Sequence, residues 1–187
     1  MSISHAIIAA LASAAAYILG FQLNQVMFDS LTFSHAVNWV FLPSGLEIFA
    51  VLLALNAGAV GIAIGSIAIG FIEYHDGDMA LTLLAGIVTG LSPWLARKIC
   101  VAELQVHPDL VDLTPQDLFK ISIVFAVTSA LLHQLLYFWF DRTENLAFST
   151  GVMALGNWLG TSLIFTSFML ISKMMKKIRH EVEEALF

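Results

Sequence analysis

Cys100 is the only cysteine in this sequence. A lone thiol excludes an intrachain disulfide, a CxxC redox pair and a thiolate metal centre, and it reads as a small apolar residue near a helix end. Basic residues are scarce as well. The eight lysines and arginines form neither a stripe nor an aromatic-interleaved groove, and the formal net charge is −6, so nucleic acid is not a partner. Catalytic patterns are missing: there is no HExxH, GxSxG, P-loop or dinucleotide fingerprint, and the scattered serines have no base at a fixed offset. The chain reads as non-enzymatic, with no cofactor and no metal centre.

What is present is apolar. Hydrophobic residues make up 59% of the 187, charged residues only 12%, and the mean hydropathy is +0.86, which is too apolar for a water-facing surface. Because a bilayer core of ~30 Å needs about 20 helical residues, the chain divides into spans near 5–26, 37–55, 57–74, 79–100, 118–140 and 147–172. The expectation is an all-α polytopic membrane protein, a compact bundle of about six transmembrane helices over residues 1–172. Only Leu-Asn-Ala-Gly joins spans two and three, which predicts either a tight antiparallel hairpin or one bent element. The run IIAALASAAA has a signal-like AxA end, but no lysine or arginine precedes it and the apolar run continues to Phe21, so it reads as an uncleaved first span.

Cytoplasmic loops retain basic residues. With both termini cytoplasmic, Arg97, Lys98, Lys120, Lys173, Lys176, Lys177 and Arg179 lie inside and Arg142 alone outside. The outer loops then carry Asp29, Glu73, Asp76, Asp78, Asp141 and Glu144, with Trp39, Trp139, Tyr74 and Tyr137 at the outer interface. Small-xxx-small spacings at Gly61 and Gly65, Gly86 and Gly90, and Gly156 and Gly160 predict close helix packing inside the bundle rather than a homodimer seam.

Polar groups within the spans mark the candidate site. A carboxylate at bilayer depth costs ~2.5–3.5 kcal/mol on insertion scales, so it faces the bundle interior and has a function or a partner. Glu47 is near mid-depth, and His133, Gln134 and Asn157 fall at similar or slightly outer depth, so these four are expected to converge. The alternative is that Glu47 is protonated, or bonded to His133 or Asn157 merely to satisfy itself. Pro43 lacks an amide donor and disfavours helix before it, so the helix is expected to start there. Asn38 to Leu42 would be extended against protein or a wet cavity, with Asn38 joining the site. A small-molecule ligand follows as a possibility. Ser92-Pro93-Trp94 predicts a kink. His75-Asp76-Gly77-Asp78, with His35, carries potential metal ligands but reads as turn chemistry.

Residues 173–187, KMMKKIRHEVEEALF, read as a cytoplasmic amphipathic helical tail. Met174, Ile178, Val182 and Leu186 recur every four residues as one narrow apolar stripe, suited to the membrane surface or a partner protein.

The blocks FLPSGLEIFAVLLALNAGAVGIAIGSIAIG and GNWLGTSLIF resemble the first and last recognisable blocks of MASE1-type bacterial membrane sensor domains, in which an aromatic-Pro-x-Gly helix start precedes a Gly-rich hairpin. LSPWLARK is similar to a helix end in that group. The likeness covers about half of the chain and departs in span number, six where the family has more, and in having no output domain after Phe187. It implies a stand-alone sensor or accessory subunit of the bacterial inner membrane, working through a membrane-protein partner or a homo-oligomer. Six short Gly-rich helices with an outward cavity are also similar to substrate-binding subunits of small-solute uptake transporters, which would make the chain a transport component.

Overall fold

The computed structural model describes residues 2–74, 77–107 and 114–186. Helix α1 spans Ile3–Phe28 and opens on Ser2, whose hydroxyl accepts the His5 amide. A 3-10 turn, Asp29–Leu31, leads into a short antiparallel pair, β1 (Thr32–Ser34) and β2 (Val37–Asn38). Then come α2 (Pro43–Ile69), a π-helical turn (Gly70–Tyr74), α3 (Met79–Glu103), α4 (Pro115–Trp139) and α5 (Leu146–Leu186).

Five of these helices are long and apolar enough to cross a membrane. Their surface confirms the solvent they suit. Ile3, Leu19, Val26, Leu53, Ile72 and Trp139 are each at least 70% exposed, whereas Asn24, Glu47, Gln134, Ser44 and Thr161 are at most 2% exposed. Apolar groups outside and polar groups inside is the arrangement a hydrocarbon solvent selects. The chain is an all-α, multi-pass membrane protein.

Spans two and three are one helix, α2, the bent element that the Leu-Asn-Ala-Gly joint allowed, rather than two separate spans. It is one element broken at Leu55, where φ is 51° and ψ −123°. Helical hydrogen bonding resumes directly after Leu55, yet the direction changes. A Cβ on Gly58 would strike the Ala50 carbonyl, and Glu47 and Ser66 line one cavity. In an unbroken helix those two residues would be separated by ~28 Å, so the two limbs of α2 lie back to back.

The glycine pairs act within the chain. A Cβ at Gly61 would meet Ala10 and Ser13 of α1, and one at Gly65 would meet Ala14 and Tyr17. Gly86 and Gly90 of α3 face Ala59, Ala63 and Ile67 of the second limb. Gly156 and Gly160 of α5 do something unforeseen: they receive the backbone carbonyls of Asn38 and Phe41, so this pair packs against non-helical chain rather than another helix. Close backbone approach of this kind replaces the hydrophobic drive that lipid does not supply.

Pro93 is buried within α3, which is continuous across it. Trp94 donates its indole N–H to Asn56 Oδ1 at 3.0 Å, and Lys98 lies 5.3 Å from the Trp94 ring centre. Tyr137, expected at the lipid interface, is instead only 4% exposed and packs beside His35 and His133. The side chain of Tyr74 lies outside the described residues, as do His75 and Asp76 and the side chains of Val182 and Leu186.

Candidate functional site

The site begins with the entry to α2. Pro43 at the first helical position needs no amide partner, but the residues before it leave donors that lipid would not satisfy. Three internal acceptors take them. Leu42 N–H donates to Asn24 Oδ1 (2.8 Å), Trp39 N–H to Leu31 O (3.0 Å) and Phe41 N–H to Gly156 O (3.1 Å). Ser44 completes the fastening, donating toward Phe41 O (2.6 Å) or Asn157 O (2.7 Å), with Thr161 Oγ1 at 3.2 Å. The entry is not simply extended as expected: it makes a two-residue strand and a bend, and Leu42 is already helical in φ and ψ.

One turn into the helix, Glu47 is 2% exposed and lines a cavity of about 60 Å³. Among the described residues no donor reaches its Oε2. Asn38, His133 and Asn157 line the same cavity, so four of the five candidate residues meet. Gln134 does not. It is fully buried and does not line the cavity: its amide donates to Sδ of Met153 (3.6 Å), which does, and its carbonyl accepts from Thr143 (3.0 Å). Successive residues on a helix point ~100° apart, so an adjacent position rarely shares a cavity.

His133 is held on both sides. Ser129 O can only accept, so the Nδ1–H of His133 donates to it at 2.9 Å. Nε2 then faces Thr89 Oγ1 at 3.1 Å, and Thr89 Oγ1 is 3.0 Å from Ser66 Oγ. This polar chain ties the second limb of α2, α3 and α4 together along one wall. The sequence reading missed Ser66, Thr89 and Ser129, together with Tyr17 and Tyr137. The remaining lining is apolar and partly aromatic: Ile69 and Met153 join Phe21 and Phe41, an edge-to-face pair whose centres are 6.4 Å apart.

Chemically, the cavity offers a carboxyl whose Oε2 no donor of the described residues reaches, together with amides, hydroxyls and aromatic rings. No lysine or arginine lines it among the described residues. No group of three or more His, Cys, Asp or Glu side chains that could hold a metal ion is found among those residues. No family model, curated protein or solved structure matches this chain.

Proposed function

We propose that this protein is a non-catalytic sensor or accessory subunit of a bacterial inner-membrane complex, with the Glu47 cavity as its input and α5 as its output. The observation that carries the proposal is α5 itself. At 41 residues it is ~62 Å long, twice the ~30 Å of a hydrocarbon core. Its end therefore projects beyond the bundle, with Met174 and Ile178 more than half exposed. The resemblance of the helix-start block and the GNWLGTSLIF block to MASE1-type sensor domains points the same way.

In this reading the chain makes six crossings, the second formed by the Val37–Leu42 entry and the first limb of α2. The reversal at Leu55 supports it. Both termini then share one face, and seven of the eight basic side chains belong to that face, which makes it cytoplasmic. Affinity purification in mild detergent should recover a stoichiometric membrane-protein partner, and deletion of residues 173–187 should release it while the truncated protein still melts cooperatively. A clean monomer across several detergents would overturn the reading. The same cavity also suits a solute-binding subunit of an uptake transporter. Partner-dependent accumulation of solute in vesicles would select that role.

A further inference from the structure

We propose that the Glu47 cavity binds a small ammonium-type cation, ammonium itself or a protonated methylamine. The inference rests on the reading of this cavity as the input site. Its first support is the carboxyl: Glu47 is 2% exposed, faces the cavity, and has an Oε2 that no donor of the described residues reaches. An ionised carboxylate at bilayer depth requires a counter-charge close by. The lining among the described residues contributes neither lysine nor arginine. His133 gives Nδ1–H to Ser129 O, and as a neutral ring it takes at Nε2 the proton of the Thr89 hydroxyl, 3.1 Å away, when that hydroxyl turns from the Ala85 carbonyl toward it. The positive charge is left for a ligand to bring.

The second support is the wall. Phe21, Phe41, Tyr17 and Tyr137 line the cavity, and ring faces attract cations of the ammonium type. A divalent metal would need more anionic or imidazole ligands than one carboxyl and one histidine, and no such cluster occurs among the described residues. The third support is size. At ~10–15 Å³ per water centre, about 60 Å³ holds roughly four waters. That volume accepts an ammonium ion or a methylammonium, whose N–H groups donate to Glu47 and to the Asn157 or Asn38 carbonyl.

The test uses full-length protein in detergent at constant ionic strength and chloride. Equilibrium dialysis with radiolabelled methylammonium should show saturable binding to one site, displaced by ammonium and not by sodium or choline. Glu47→Gln keeps the shape and removes the charge, and it should weaken binding roughly tenfold or more. Methylammonium binding of equal strength in a folded Glu47→Gln protein would overturn the proposal. Should that variant fail to fold, the wild-type competition alone decides, since displacement by sodium as readily as by ammonium also overturns it. Labelled acetamide separates the two levels of argument. Glu47-dependent binding of acetamide without methylammonium would refute the cationic class and keep the cavity as an input site. Binding of neither would refute both, while partner capture through α5 would still stand or fall by itself.

Discussion

The Asn24 side-chain carbonyl, buried near the C-terminal end of α1, accepts the amide of Leu42 at 2.8 Å and so caps the chain where it enters α2. Helix starts expose donors that must be satisfied somewhere, and here the acceptor comes from eighteen residues earlier. Asn24→Ala would strand the Leu42 N–H in a dry interior, at a cost of about 1–3 kcal/mol. Thermal unfolding in detergent should show the loss, and an unchanged midpoint would mean that the entry is held by Ser44 and the Leu31 and Gly156 carbonyls without it.

Glycine positions on α5 should separate sharply. A Cβ at Gly160 would collide with the Phe41 carbonyl and lie 2.9 Å from Ser44 Oγ, so Gly160→Ala should destabilise by ~1–3 kcal/mol or more. At Gly151 nothing lies within 4 Å of the added atom. Gly151→Ala should therefore be neutral or stabilise the helix by about 0.5–1 kcal/mol. Equal effects of the two substitutions on the melting midpoint would contradict the packing of Phe41 into the α5 groove.

Leu55 holds a positive φ that a branched side chain rarely adopts, a strain of order 1–3 kcal/mol. Leu55→Gly should relieve it, giving a net gain of about 1 kcal/mol once the larger unfolded-state entropy of glycine is subtracted. Leu55→Ala keeps the strain and should show no gain. Chemical denaturation of the three proteins side by side distinguishes backbone relief from loss of the side chain, which is 46% exposed.

Glu47 and His133 invite a double-mutant cycle. Because Oε2 of Glu47 has no donor among the described residues, Glu47→Leu should leave stability unchanged or raised while abolishing the ligand response. His133→Leu leaves the Ser129 carbonyl and Thr89 hydroxyl with only their intrahelical partners and should cost about 1 kcal/mol. The two should add within ~0.5 kcal/mol. Strong non-additivity in melting, with both single variants destabilised, would instead identify Glu47 as a structural partner of His133.

Much of this was legible one residue at a time. The start of α2 at Pro43 follows from a ring that removes a donor, and the depth of Glu47, His133 and Asn157 follows from counting along apolar runs. The counting failed where direction mattered. Gln134 stands at the same depth as His133 but on a different side of α4. Ser66, Thr89 and Ser129 left no distinct signal, because a hydroxyl in an apolar helix commonly bonds back to its own i−4 carbonyl, as Ser13, Ser92 and Ser162 do here.

By itself the sequence determined the solvent of this protein: runs of apolar residues too long for a soluble surface, punctuated by polar turns, leave a helical membrane bundle as the one way to satisfy the backbone. It also determined that a carboxyl must be sheltered there, since lipid cannot solvate it. Only the tertiary structure decided what shelters it. Which faces of five helices turn inward depends on crossing and rotation set by long-range contacts, such as the Asn38 and Phe41 carbonyls lodged against Gly156 and Gly160 and the reversal at Leu55 that brings Ser66 opposite Glu47. Those contacts join residues a hundred or more positions apart in one case and turn on a single backbone angle in the other, and neither leaves a local periodicity to read.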